Sequence, residues 1–341
     1  MHKSTTHVAV IIPNWNGVDE LKGCLDSVQS QTTSPHIIVV DNGSTDESVA
    51  FVTTNYPAVE LVRHSKNLGY AGGVNSGFRR AIELKMEYAA PFNNDAVADK
   101  QWLEYLIKYL DTHDSCGIAA PKLLSADGSH IDSTGDQYTT WGLPYPRGRD
   151  ESNVDAYDKS PDILGASGGA SLYRMRMLAE VGLFDEDFFA YYEDVDLSMR
   201  AQLAGWKIAY VPQAVAYHQT STTGKKIKGF FTLQTLKNYP WIIIKNVPPS
   251  LLWYVVPRFL LAQTLFIGRA VLRGHAWWVI KALALSLVLG PKKLRERHRI
   301  QSRRKVSVTY MWNMMTHDLP PNAYALRRLR ATWWQLTGRK S

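Results

Sequence analysis

The sequence predicts an α/β protein: a mostly parallel central sheet flanked by helices, then a C-terminal helical, membrane-associating region. Three observations carry that expectation. Through residue 229, short apolar runs alternate with amphipathic segments of about 10–14 residues, as in βαβ units. Asn, Asp and Gly cluster after these runs. Charge then divides the chain: residues 1–229 hold 20 Lys and Arg against 29 Asp and Glu, whereas residues 230–341 hold 19 against 2. Seven of the 11 Trp also lie after residue 229, so 1–229 reads as a globular domain and 230–341 as a basic, Trp-rich region with a different physical task.

The elements follow in order. Residues 8–12 and 36–40 are uniformly apolar, as strands buried on both faces are. Between them Leu21, Cys24, Leu25 and Val28 recur at helical spacing. The run Ser44, Thr45, Asp46, Glu47 reads as a capping box opening a helix to about residue 54. Residues 59–62 and 88–92 read as strands and 72–85 as a helix between them. Trp102, Leu103, Leu106, Ile107 and Leu110 mark another amphipathic helix. Residues 125–162, rich in Asp, Gly, Ser, Tyr and Pro, read as a mobile insertion over the ligand-binding edge of the sheet, with a part in ligand choice.

Composition excludes several classes. With 341 residues, 45% of them hydrophobic and 21% charged, the chain can bury a substantial core. Two cysteines, Cys24 and Cys116, cannot build a disulfide framework or a cysteine zinc site and read as reduced cytosolic thiols. Residues 1–7 lack the apolar stretch of a secretory signal. No run of 18 apolar residues is free of charge, which argues against a conventional membrane span.

Ligands of open parallel sheets bind at the carboxyl ends of the strands. Here those ends carry residues 13–17, 41–44, 67–75 and 93–95, which should converge on one rim. Neither a G-x-G-x-x-G nor a P-loop pattern follows the first strand. Asp41 suits a base N–H or a ribose hydroxyl. Gly69, Gly72 and Gly73 permit close approach of backbone to a flat or phosphorylated ligand. Asp95 offers a hard oxygen to Mg2+ or Mn2+, and such an ion beside a diphosphate would neutralise a leaving phosphate. Sugar transfer from a nucleotide sugar would use this set of groups.

Six segments resemble family 2 glycosyltransferases, which have the GT-A (nucleotide-diphospho-sugar transferase) fold, and most of all the bacterial rhamnosyltransferase-like branch. They are VAVIIPNWNG (8–17), IIVVDNGSTDES (37–48), NLGYAGGVNSG (67–77), PFNND (91–95), the stretch 165–206 containing YYEDVDLSMR, and VAYH (215–218). The resemblance implies that Pro13, Asn14, Asp41, Asn67, Gly69, Asn75 and Asn94 bind the nucleotide sugar. It implies Asp95 and His218 as metal ligands for Mg2+ or Mn2+. Asn93 stands where the family's D-x-D motif has its first acid, so that motif supplies a single carboxylate. Asp194 matches the general base of an inverting transfer, which must take the acceptor hydroxyl's proton. Glu193, Gly168 and Gly169 match the acceptor site. Helix position favours an ionised Asp194 while Glu193 opposes it. Asp196 is expected to face Arg200 one turn on.

Beyond residue 218, Lys225, Lys226 and Lys228 are expected near the donor diphosphate. Two apolar stretches, 251–267 and 276–289, are interrupted by Arg258 and Lys281, with Pro257 as a helix-start signal. On one helix, Arg258, Arg269 and Arg273 fall within about 60° of one another, a basic stripe beside an apolar face. Basic flanks at 291–305 and Trp333–Trp334 among arginines suit anionic headgroups. The competing readings are packing on the catalytic domain or a homodimer interface; no nucleic-acid partner is expected. The whole implies an inverting enzyme peripheral to the cytoplasmic face of the bacterial inner membrane. It would move L-rhamnose from dTDP-rhamnose to a polyprenyl-diphosphate-linked glycan of the cell wall or O-antigen. UDP-galactose, UDP-glucose and UDP-N-acetylglucosamine are alternative donors; a sugar nucleotidyltransferase or a non-catalytic membrane scaffold are alternatives of another class.

Overall fold

The computed structural model describes residues 7–152, 154–159, 162–219, 227–321, 323 and 326–328. The sheet region runs β1 (Val8–Asn14), α1 (Val18–Gln29), β2 (His36–Asp41), α2 (Ser48–Asn55), β3 (Glu60–Arg63), α3 (Gly69–Glu83), β4 (Tyr88–Pro91), β5 (Ala96–Ala98) and α4 (Trp102–Thr112). It continues with β6 (Cys116–Ser125), β7 (Ile131–Ser133), β8 (Asp136–Tyr138), β9 (Pro144–Pro146), β10 (Leu172–Arg174), α5 (Met175–Val181), α6 (Glu193–Leu203) and β11 (Lys207–His218).

Strand β1 is buried along its length, and its alternate side chains serve two cores. Val8, Val10 and Ile12 pack with Leu21, Leu25 and Val28 of α1 and with the apolar stripe of α4. Ala9 and Ile11 pack with Val74 and Phe78 of α3 and with Leu197 of α6. Burying each such Leu, Val or Phe side chain contributes roughly 1.5–3 kcal/mol. The strand order is β3-β2-β1-β4-β10-β6-β11-β5, with β7 beside β6. The four strands from β3 to β4 are parallel, but β10 runs antiparallel to both β4 and β6. The sheet is therefore mixed. A three-residue strand such as β10 carries too little pattern to reveal its direction.

Three local expectations change. Helix α2 starts at Ser48, with Asp46 Oδ1 accepting from Ser48 N at 3.1 Å, so Ser44 is not its cap. Ser44 Oγ instead accepts from Asn16 N at 3.0 Å and ties the loops after β1 and β2 together. The residues 72–85 helix begins earlier, at Gly69, where the chain takes φ +76°. The 125–162 segment is structured by β7, β8 and β9.

Four helices follow: α7 (Phe230–Asn246), α8 (Pro249–Leu272), α9 (Ala276–Ser302) and α10 (Val308–Met314). Pro257 lies inside α8; the helix starts at Pro249, in the first-turn position that tolerates proline. Pro240 inside α7 withholds a donor from Leu236 O, and Gln263 Nε2 supplies one at 3.4 Å. Val195, Met199 and Leu203 of α6 pack against Trp241 of α7, Val255 and Phe259 of α8 and Met311 of α10. The basic region is thus welded to the catalytic part across residue 229. A buried ion cluster reinforces the weld. Lys245 Nζ lies 2.6 Å from Asp185 and 2.9 Å from Asp196, and Lys293 Nζ lies 2.5 Å from Asp185 and 2.7 Å from Asp187. Arg200 Nε meets Asp196 at 2.9 Å, as the one-turn spacing predicts.

The outer faces of α8 and α9 stay apolar: Trp253, Leu272 and Leu287 are 89%, 88% and 78% exposed. Helix α8 is long and apolar enough to cross a membrane by length and composition, although Arg258 and Arg269 interrupt it. Residues 220–226 and 329–341, including Lys225, Lys226, Trp333 and Trp334, lie outside the described residues.

Candidate functional site

A cleft of about 690 Å³ opens where the strands end. It is lined by Pro13 and Asn14 at the end of β1, Asn42 after β2, Asn67 before α3 and Gly69 at its start, and Asn93, Asn94 and Asp95 after β4. Gly168, Gly169, Glu193, Asp194 and His218 complete the expected set. Asp41 and Asn75 do not line the open volume. Asp41 stands beside Asn14 in the β1–β2 register, 4% exposed, and its Oδ1 has no donor among the described residues. Such an orphaned oxygen costs about 1–3 kcal/mol unless a ligand N–H or O–H reaches it. Asn75 is committed elsewhere: its Nδ2 donates to Phe184 O at 2.9 Å and its Oδ1 accepts from Phe184 N at 3.0 Å. It fastens the loop before α6.

One end of the cleft, where the resemblance expects the nucleotide, is held together by amides. Asn42 Nδ2 donates to Gly69 O at 2.9 Å, and Asn42 Oδ1 accepts from Leu68 N at 3.0 Å. Asn67 Oδ1 accepts from Gly69 N at 2.7 Å, and Asn94 Nδ2 donates to Asn14 Oδ1 at 2.7 Å. A Cβ on Gly69 would come within 2.3 Å of Phe189 O, so glycine is required there by space as well as by φ. Asn42 was not singled out, although the motif DNGS contains it.

At the metal end, His218 Nε2 lies 3.1 Å from Asp95 Oδ1, and His218 Nδ1 lies 3.0 Å from Asp132 Oδ2. Burial opposes a charged ring, but the hydrogen bonds to Asp132 and Asp95 push His218 up to about 9. A separation of about 3 Å between Asp95 and His218 donors suits neighbouring positions of an octahedral ion with bonds near ~2.1 Å. Asp132 would orient the imidazole from behind. The residues present therefore fit a divalent ion. Asp132 comes from the 125–162 segment, 86 positions from His218, and no local pattern announces it. A second acidic group, Asp185, Asp187 and Glu296, offers oxygens within 4.8 Å of one another. Lys293 Nζ and Lys245 Nζ already contact it, so ammonium groups supply its positive charge.

Asp194 sits at the start of α6, Oδ2 accepting from Gly168 N at 2.8 Å and Oδ1 from Val195 N at 2.8 Å. Burial raises its carboxyl above the usual range, against those backbone donors. Glu193 is raised further, by burial and then by the charge of Asp194, and its Oε2 has no partner among the described residues. Asp136, a third acid that the sequence did not mark, is raised by burial and by Asp194. Phe189, Tyr191, Tyr192, Phe230 and Phe231 form an aromatic wall beside them.

A family model described as "Glycosyl transferase family 2" matches residues 9–182, and one described as "Glycosyl transferase family group 2" matches residues 150–316. The chain is 29% identical over 242 residues to the N-acetylglucosaminyl-diphospho-decaprenol L-rhamnosyltransferase of Mycobacterium tuberculosis, covering 65% of this chain and 79% of that one. It is 23% identical over 216 residues to the low-salt glycan biosynthesis hexosyltransferase Agl10 of Haloferax volcanii, covering 62% and 66%. Its fold is similar to that of the mannosyltransferase PcManGT from Pyrobaculum calidifontis in complex with GDP-Man and Mn2+ (TM-score 0.53, 15% identity, 90% of this chain and 87% of that one). It is also similar to GalNAc-T7 with UDP, GalNAc and Mn2+ (TM-score 0.57, 17% identity), where the match covers 71% of this chain and about half, 48%, of that longer one. The family match takes in strands β1 to β4 and the cleft residues up to Gly169, and by it the chain belongs to glycosyl transferase family 2, with the GT-A fold.

Proposed function

We propose that this glycosyltransferase is inverting and metal-dependent, and that it transfers L-rhamnose from dTDP-rhamnose to a polyprenyl-diphosphate-linked glycan at the cytoplasmic face of the inner membrane. The observation that carries the reading is one cleft holding a half-buried Asp194 of raised proton affinity, the Asp95–His218 pair and the Asn14–Asn42–Asn67 amides. The donor and acceptor rest on the likeness to the mycobacterial relative, whose name specifies a decaprenol-linked substrate and rhamnose.

Asp194 takes the acceptor hydroxyl's proton as that oxygen attacks the anomeric carbon. The carbon–oxygen bond to the diphosphate breaks on the opposite face, and configuration inverts. Raising a carboxylate's affinity for protons makes it a better base near neutral pH. Gly168 N and Val195 N hold both oxygens and fix their direction. Asp95 and His218 would hold Mn2+ or Mg2+, which neutralises charge on the departing nucleoside diphosphate.

The test is a donor panel. Purified protein with Mn2+ is offered dTDP-rhamnose, UDP-galactose, UDP-glucose and UDP-N-acetylglucosamine, and released nucleoside diphosphate is followed. Release from dTDP-rhamnose, raised well above hydrolysis by a polyprenyl-diphosphate-linked sugar, is expected. A larger response to a UDP-sugar would overturn the donor, and no response to any lipid-linked acceptor would overturn the acceptor.

A further inference from the structure

We propose that Asn238 of α7 is a positioning residue that clamps the loop delivering Asp194 to the cleft. The inference rests on the role given to Asp194 above. Phe189, Tyr191 and Tyr192 adopt φ of +63°, +70° and +73°. For residues with a Cβ the left-handed region costs roughly 1–2 kcal/mol each. Three such residues within four positions need external restraint, and strain of this kind is often kept where a site must be shaped.

Three successive residues of α7 supply the restraint. Asn238 is fully buried, and its Nδ2 lies 3.1, 3.0 and 2.8 Å from the carbonyl oxygens of Phe188, Ala190 and Tyr191. Lys237 Nζ donates to Asp187 O at 2.8 Å and Phe188 O at 3.2 Å. Tyr239 OH donates to Tyr192 OH at 3.1 Å. Tyr192 is the residue from which α6 springs, its carbonyl accepting from Asp196 N at 3.0 Å, and Asp194 follows two residues on. The clamp itself is anchored, because Lys245 and Asn246 of the same helix hold Asp196 at 2.9 and 2.8 Å. Without the Asn238 amide, three carbonyls lose their shared donor in a dry site, and the loop relaxes toward ordinary φ. Asp194 then leaves its place over Gly168.

The full-length Asn238→Ala variant tests this. At saturating donor and acceptor, kcat is expected to fall about 10- to 100-fold, the effect of misplacing a reacting group by about 1 Å. Donor Kd should stay unchanged, and the acid limb of the pH–rate profile should move as Asp194 changes surroundings. Tyr239→Phe should show a smaller loss with the same split. A folded Asn238→Ala with unchanged kcat and pH profile overturns the proposal, as does an equal loss of donor affinity and kcat. Hydrogen exchange of amides 188–195 should quicken in either variant, and unchanged exchange in both also overturns it. If Asn238→Ala does not fold, Tyr239→Phe decides alone. Wild-type protein that binds donor yet transfers to no acceptor would refute the proposed function, while the exchange measurement would still judge the clamp.

Discussion

At Asp194, Glu193 and Asp136 burial works against charge, and each is displaced upward from ordinary carboxylate behaviour. If Asp194 is the base proposed above it must be ionised, so turnover should rise with pH through its raised value, above the usual carboxylate range. Asp194→Asn should cut transfer roughly 10²–10⁴-fold, the typical share of a general base, and leave donor affinity intact; steady-state kinetics with calorimetric donor binding checks both. Glu193 makes a different prediction. The folded state holds its proton more tightly than the unfolded chain does, so its contribution to stability is full below about pH 4 and lost as pH rises through the folded value. Glu193→Gln removes that loss. Its melting temperature should exceed that of the wild type at pH 8, and the difference should vanish near pH 4.

Among elements, the 125–162 segment departs furthest from a bland loop. Its strand β7 brings Asp132 to His218 Nδ1, and Arg149 Nη2 meets Asp132 Oδ1 at 3.1 Å. Metal-ligating histidines depend on such partners for ring orientation. Asp132→Asn should therefore weaken Mn2+ binding about 10- to 100-fold while the Asp95 and His218 ligands remain. A Mn2+ titration of donor binding measures the effect, and an unchanged midpoint would remove Asp132 from the shell. Helix α6 has two faces in use, Leu197 and Ala201 toward the sheet and Val195, Met199 and Leu203 toward α7, α8 and α10. Glu193 and Asp194 of its first turn line the cleft.

At the scale of the molecule, the acidic sheet domain and the basic helices share one core, and the apolar surplus lies on the outer faces of α8 and α9. Arg269 and Arg273 are exposed beside Leu272. Apolar burial combined with attraction to anionic headgroups is the binding mode of an interfacial helix. The protein should cosediment with anionic vesicles at low salt, be released as salt rises, and bind less after Trp253→Ser with Leu272→Ser. Protein that stays in the supernatant at low salt would count against the membrane partner. The homodimer alternative predicts a concentration-dependent mass in sedimentation, unaffected by vesicles.

Much of the sheet was legible because buried strands write themselves as apolar runs, 8–12 and 36–40, each ending in the polar residues that face the cleft. That Asp194, Asp95, His218 and Gly168 line one cleft was to be expected from the family resemblance of the motifs that contain them. The direction of β10, the turning away of Asn75, and the placing of Asp132, Asp136 and Asn238 were not. Each depends on partners dozens of positions away, and only close packing brings those partners within hydrogen-bond reach. Sequence alone determined the family and the end of the sheet that binds. Tertiary structure decided that the C-terminal helices are part of the site, because the strained loop before Asp194 takes its restraint from α7.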